Sequence, residues 1–169
     1  MSLIYLREPE RSDQTQFLEA MQSSVSFHHP WVKAPTTPAE FEYYVERHQA
    51  PDHKSYIIWD EANHLIGVFN ISGIVRGVFQ SAYLGFYANS EFAGTGLMSL
   101  GLKQVLQMAF NELTLHRLEA NIQPENKRSI EFVKRAGFRY EGYSPRYLKI
   151  YDEWCGHEHW AMTAEEFIR

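Results

Sequence analysis

At 169 residues the chain has the length of one domain, enough to bury roughly 70% of its unfolded surface without a disulfide or a metal ion. Its 44% hydrophobic and 22% charged composition is that of an ordinary globular protein, and no stretch approaches the roughly 18 consecutive apolar residues of a membrane span. A formal net charge of −5 argues against a general nucleic-acid-binding face and suits a cationic partner, such as an amine or a basic protein tail.

The opening residues, MSLIYLREPERSD, carry charges where a secretory leader is apolar, and the one cysteine, Cys155, excludes an intrachain disulfide, so a cytoplasmic setting is expected. Residues 3–7 read as a short strand. Ser12 or Asp13 can cap a helix that turns Phe17, Leu18 and Met21 to the core. His28-His29-Pro30-Trp31 ends it. Thr37-Pro38-Ala39-Glu40 is a capping box with proline at the first helical position, which predicts a helix over 38–48 with Phe41, Tyr44 and Val45 on one side.

From residue 54 the period changes to that of strands. Residues 55–59, 64–72 and 81–88 predict an antiparallel meander, its first connection being the short turn 60–63. A loop, Phe92-Ala93-Gly94-Thr95-Gly96, then enters a helix over about 97–111, where Leu100, Val105, Leu106, Ala109 and Phe110 recur at helical spacing. Residues 117–122 read as a strand. Pro124-Glu125-Asn126 opens a helix that ends before Gly137, and residues 138–143, 147–151 and 158–163 complete the chain as β segments. With no repeat or linker, the order predicts a single α+β domain over residues 1–169, one mixed and mostly antiparallel sheet flanked by helices.

The segment Gly94-Thr95-Gly96 stands between a strand and a helix. A helix start offers unpaired N–H groups and the positive end of its dipole, and glycine lets the backbone approach an anion. Such glycines are also ordinary turn residues, so the segment reads either as a phosphate cradle or as a turn. No Lys-Ser/Thr follows Gly96 at P-loop spacing, and serine at position 99 breaks the dinucleotide fingerprint.

The loop resembles motif A of the GNAT superfamily of acyl-CoA-dependent N-acetyltransferases, Gln/Arg-x-x-Gly-x-Gly/Ala. Gly96 takes the glycine, Ala93 stands at the Gln/Arg position and Met98 at the last, both departures. Some thirty residues on, the run Asn126-Lys127-Arg128-Ser129 through Gly137-Phe138 resembles motif B. Further runs resemble the RimJ/RimL branch, ribosomal-protein-alanine N-acetyltransferases, over nearly the whole chain: Val75-Arg76-Gly77-Val78-Phe79, Tyr83-Leu84-Gly85-Phe86, Glu141-Gly142-Tyr143, Pro30-Trp31, and Trp154 with His157.

The resemblance implies a GNAT-like fold and acetyl-CoA as cosubstrate, with no metal. Phe86, Tyr87 and Ala88 would offer backbone groups to the acetyl and pantetheine arm. Ala93, Gly94, Thr95, Gly96, Leu97 and Met98 would wrap the pyrophosphate with main-chain N–H groups. Asn126 would bond the pantetheine arm, cap its helix, or both. Glu119 is the candidate base, the alternative being a solvent-facing strand residue. The family's tyrosine acid falls on Val133, and Ser129 is the nearest substitute, unless it only serves the first helical turn. His157 and His159 face one side of a strand at a spacing compatible with a metal, but lack an evident carboxylate or cysteine partner. Trp31, Tyr43, Tyr44 and Tyr83 either line an acceptor groove or pack in the core.

An α-amine is roughly 10–15% neutral at pH 7 against roughly 0.04% for lysine, so it needs little help from a strong base. The resemblance to the RimJ/RimL branch implies a protein N-terminus as acceptor, such as that of a ribosomal protein, and the amine chemistry agrees with it. The alternatives are a small amine (aminoglycoside, polyamine or amino-acid derivative) or a non-catalytic acyl-CoA-binding module. Direct nucleic-acid binding and membrane association are not expected; the oligomeric state stays open between monomer and dimer.

Overall fold

The near-continuous apolar run of Lys54–Asp60 suits a strand covered on both faces, and it lies next to one edge of a seven-stranded sheet. The computed structural model describes residues 3–167. Its strands are β1 (Ile4–Arg7), β2 (Lys54–Asp60), β3 (Leu65–Val75), β4 (Ser81–Ala88), β5 (Arg117–Ile122), β6 (Arg139–Ile150) and β7 (Glu153–Thr163). They stand in the order β1-β2-β3-β4-β5-β7-β6, antiparallel throughout except for the parallel pair β4/β5. The expected α+β domain with one mixed sheet is what forms.

Helices α1 (Gln14–Gln22), α2 (Val25–His28) and α3 (Pro38–His48) precede β2, while α4 (Leu97–Gln107) and α5 (Lys127–Ala136) flank β5 and α6 (Ala164–Phe167) closes the chain. The sheet carries a core on each face. On one, Phe17, Met21 and Phe41 of α1 and α3 meet Ile57, Trp59 and Val68. On the other, Leu102 and Val105 of α4 meet Ile58, Phe69 and Leu118. Gly101 makes that second contact close, because a Cβ there would overlap the Ile58 side chain.

The capping box at Thr37 forms as expected: Glu40 N donates to Thr37 Oγ1 at 3.3 Å, and Thr37 N donates to Glu40 at 3.2 Å. At α1, Asp13 takes the N-cap position, but its carboxylate does not cap. It is buried and accepts from both Arg7 guanidinium nitrogens, at 2.8 and 2.5 Å, and from Glu10 N at 2.8 Å. A buried carboxylate demands a cation more than a helix end demands a cap.

Three boundaries differ from the sequence pattern. The helix expected to residue 111 is α-helical to Gln107 and continues as a π turn, Met108–Glu112. The two strands expected over 138–143 and 147–151 are one, β6, with register shifts between Tyr140 and Gly142 and between Ser144 and Leu148; these bulges absorb Pro145 and Arg146, whose φ is +49°. The strand expected from residue 158 begins at Glu153, because Tyr151 and Asp152, both at positive φ, form a two-residue hairpin turn.

Candidate active site

The site follows from where the parallel pair stops. β4 and β5 are partners only over Ser81–Tyr83 and Arg117–Glu119, yet β4 runs on beside β3 to Ala88 and β5 runs on beside β7 to Ile122. Past Tyr83 and Glu119 the sheet therefore splits. Asn89 N donates to Ile66 O at 2.8 Å, which sets the phase of the β3/β4 ladder. Tyr87 and Gly85 exchange hydrogen bonds with β3, whereas Leu84, Phe86 and Ala88 turn their main-chain groups into the split. Phe86 and Ala88 thus face the opening. Tyr87 differs: its backbone serves β3, and its buried side chain, the phenol pushed well up by desolvation, belongs to the core.

The split opens into a cavity of about 1020 Å³. At its end the chain turns through Gly94 (φ +77°) and Gly96 (φ +85°), both in the left-handed region that favours glycine. A Cβ at either would meet nothing within 4 Å, so conformation, not crowding, calls for glycine here. Ala93 N is taken by Ser90 O and Thr95 N by Phe92 O, each at 3.3 Å. Among the described residues, the N–H groups of Gly94, Gly96 and Met98 have no internal acceptor and stand at the uncapped start of α4. The arrangement can hold an anion through alternate backbone amides. Met98 costs it nothing, because its side chain lies over Gly67 of β3, where a Cβ would overlap its sulfur.

Across the split, Asn126 is the N-cap of α5: its Oδ1 accepts from Ser129 N at 3.3 Å. Its amide nitrogen keeps its donors for the cavity. Because Asn126 does the capping, the Ser129 hydroxyl has no protein partner among the described residues and also lines the cavity. Arg128 stacks over the Phe27 ring, 4.6 Å from its centre, and ties α5 to α2. Val133, at the position of the family's tyrosine, is fully buried in the core.

The other end of the cavity is walled by Trp31 and Val32, by Leu148 and Ile150 of β6, and by His157 of β7. The 26–32 segment closes over it. Gln123 donates to Pro30 O at 3.4 Å, the Tyr151 hydroxyl donates to Val32 O at 3.2 Å, and His28 Nε2 donates to Ala88 O at 2.7 Å. Burial lowers the His28 pKa, so the ring is neutral and holds the end of β4 through that one N–H. His157 Nδ1 donates to Cys155 O at 2.9 Å, and burial likewise lowers its pKa.

Beside the split lies a polar network. Arg117 bridges Glu141 (2.7 Å) and Glu119 (2.8 Å), and those two carboxylates raise its pKa further. His159 Nδ1 approaches Glu119 at 3.2 Å and Asn121 Oδ1 at 2.5 Å, while its Nε2 meets Ser144 Oγ at 2.7 Å. The Tyr147 ring packs edge-on against His159, and desolvation, with Tyr83 beside it, pushes its phenol up to about 12.

Of the residues singled out from the sequence, Phe86, Tyr87, Ala88, Ala93, Gly94, Gly96, Met98, Asn126 and Ser129 line one cavity. Thr95 and Leu97 do not: Thr95 folds its hydroxyl onto Phe92 O at 2.6 Å. Glu119 stands one rung before the split, off the cavity wall, with both oxygens engaged. Trp31 lines the cavity; Tyr44 is core, and Tyr43 and Tyr83 are exposed. Sequence reasoning missed His28 as a clamp on β4 and His157 as a wall of the cavity. For His157 the His-x-His spacing was the available signal.

The sequence matches the acetyltransferase (GNAT) domain family over residues 4–139, and the chain belongs to that family. It is 36% identical over 107 residues to the [Ribosomal protein uS5]-alanine N-acetyltransferase of Escherichia coli (strain K12), covering 63% of this chain and 55% of that one. It is 35% identical over 96 residues to the probable N-acetyltransferase YjcK of Bacillus subtilis (strain 168), covering 57% and 53%. The chain thus spans about half the length of the curated relatives it matches. Among solved structures, Mycobacterium smegmatis RimJ in complex with CoA-disulfide superposes with a TM-score of 0.89 at 24% identity, over 98% of this chain and 84% of that chain. Spermidine N-acetyltransferase from Vibrio cholerae in complex with CoA and spermine gives 0.84 at 18%, over 98% of each. At these identities the likeness concerns the fold. No helix among the described residues is long and apolar enough to cross a membrane.

Proposed function

We propose that this chain transfers the acetyl group of acetyl-CoA to the α-amino group of a protein N-terminus, such as that of a ribosomal protein, in the cytoplasm. The observation that carries the reading is the split between β4 and β5, with free backbone amides at Gly94, Gly96 and Met98 at one end and an apolar wall at the other. In it the pyrophosphate sits on those amides, the pantetheine arm runs along Phe86 and Ala88 to the Asn126 amide, and the thioester lies where the strands part. In this reading Ser129, with a free hydroxyl, protonates the leaving sulfur. Glu119 organises His159 and Arg117.

The charge of the cavity bears on the acceptor. Its lining holds Lys127, Arg128 and Arg135 against a single carboxylate, Glu125. That balance suits the phosphates of CoA and disfavours a polyamine, which needs several carboxylates at amine spacing. A single α-amine, substantially neutral at pH 7, makes no such demand. The name of the Escherichia coli relative supports the same acceptor class.

The test is direct. Purified protein is mixed with acetyl-CoA and peptides beginning with Ala, Ser or Met, and with spermidine, and free thiol release is followed while mass spectrometry locates the acetyl group. Release that depends on a peptide, with the mark on its α-amine, is the expected result. Turnover with spermidine alone overturns the acceptor assignment; failure to bind acetyl-CoA overturns the whole reading.

A further inference from the structure

His157 stands apart from the other cavity-lining side chains. It is 2% exposed, so it lies out of bulk water, yet it forms part of the cavity wall. Its Nδ1 lies 2.9 Å from Cys155 O, and a carbonyl oxygen can only accept, so Nδ1 carries the hydrogen. In the neutral ring the lone pair is then on Nε2, which has no protein partner among the described residues. A buried neutral histidine of fixed tautomer, with its basic nitrogen free in a substrate-sized cavity, has the form of a general base.

Glu119 is less well placed. Arg117 and His159 hold its two oxygens, and it lies off the cavity wall. His157 by contrast lines the cavity together with Trp31, Leu148 and Ile150. The fold orients it: β7 pairs with β6 at Ser144↔His157, and the Tyr147 ring lies 6.1 Å from the imidazole and 4.7 Å from His159. We propose that His157 Nε2 is the base that takes the proton from the attacking amine, a role that rests on the acetyl-transfer reading above.

In this step the amine nitrogen bonds to the thioester carbonyl carbon and gives one hydrogen, as a proton, to His157 Nε2. The carbon–sulfur bond breaks with its electron pair on sulfur, which leaves as the CoA thiolate and takes up a proton from Ser129 or water. The imidazolium returns its proton to solvent, and where Ser129 is the donor it recovers its own proton from solvent. The net change moves one proton from amine to sulfur. Among the described residues, the titratable groups that face His157 are His159 on its own strand, Tyr147 from β6, Glu119 from β5 behind His159, and His28 and His29 of the segment across the cavity. Burial lowers the His157 pKa, so the neutral base is available at pH 7.

The test uses the intact protein, with acetyl-CoA and whichever acceptor it turns over. H157Q should bind acetyl-CoA as the parent does and keep its melting temperature within a few degrees, while kcat/KM falls about 100-fold or more, general bases contributing about 10²–10⁴-fold. The parent's pH–kcat/KM profile should fall on the acid side in two steps, one set by the amine's own titration and one by His157, and only the amine's step should remain in H157Q. A variant that keeps both steps, or that loses activity through KM alone, overturns the proposal in favour of a packing role. Should H157Q fold poorly, the parent decides by itself: ¹⁵N NMR of the histidines should show His157 neutral at pH 7 with its proton on Nδ1, titrating with one of the two acid-side steps. A proton on Nε2, or a titration unrelated to either step, sinks the idea. If the parent acetylates no amine, the acetyl-transfer reading fails; if it does and H157Q matches it, only the role of His157 fails.

Discussion

The two ends of the cavity are built by different means. At one end, the pyrophosphate end of the proposed reading, the unpaired groups are main-chain amides of one short loop, positioned by two left-handed glycines and the start of α4. At the other, its proposed acceptor end, the lining is side chains drawn from the segment after α2, from β6 and from β7, far apart in the chain and joined only by the sheet order β5-β7-β6. A backbone site constrains φ and leaves side chains free to vary, which is how Ala93 and Met98 can stand where the family pattern has other residues. A side-chain site constrains identity and leaves the local backbone ordinary. The first should break on changes of conformation, the second on changes of side chain.

The largest effect is therefore expected at Gly96. A valine there must adopt φ +85°, at a cost of roughly 1–2 kcal/mol or more for a β-branched residue, and its side chain points into the open space an anion would fill. Acetyl-CoA affinity, measured by calorimetry, should fall at least about tenfold, the equivalent of about 1.4 kcal/mol. Melting should drop by only a few degrees, since nothing within 4 Å is displaced. Retained affinity in G96V would mean that the loop does not hold the phosphates through its backbone.

Next comes Trp31, a half-buried aromatic of the acceptor wall. Trp31→Ala should raise the acceptor KM about tenfold, the usual scale for a truncated aromatic anchor, and leave acetyl-CoA affinity within about twofold. A matching loss at both ends would make the cavity one coupled unit.

The same contrast explains what was legible in the sequence. The helix starts at Thr37 and Asn126, the strand periodicity and the glycines at 94 and 96 are local signals, and each maps onto an element. That the chain closes on a hairpin was legible, but its length and turn were not, because the turn at Tyr151-Asp152 lacks the usual Asn-Gly signature and the bulges hide the two-residue period. With that hairpin went the acceptor wall: Leu148, Ile150 and His157 meet Trp31 only once β6 and β7 are paired and lie beside β5. Glu119 was legible as a polar residue of a half-buried strand. That Arg117 and His159 would occupy its oxygens was not, since His159 arrives from forty residues away.

A third prediction tests the clamp between the two ends. Burial lowers the His28 pKa below that of the unfolded chain, so its contribution to stability is present above the unfolded value near 6.5 and is lost as pH falls through the folded value. The melting temperature of the parent should therefore decline as pH falls below about 6.5. Gln in place of His28 can still donate to Ala88 O without titrating, and should flatten part of that decline, by about one to a few degrees. An unchanged slope in H28Q would assign the decline to other groups, His157 first among them.

The smallest effect is expected at Ala93, where the family pattern has Gln or Arg. Its amide is already taken by Ser90 O, so in this loop it contributes neither a free N–H nor a polar side chain. Ala93→Gln adds a donor at the rim of the anion site without altering the backbone around Gly94 and Gly96. If backbone amides carry the binding, acetyl-CoA affinity should change by less than about twofold, the added contact being solvent-exposed and offset by side-chain ordering. A gain of about tenfold would show that a side chain at this position does what the amides alone do not. The contrast between a backbone end and a side-chain end would then hold only for the acceptor half.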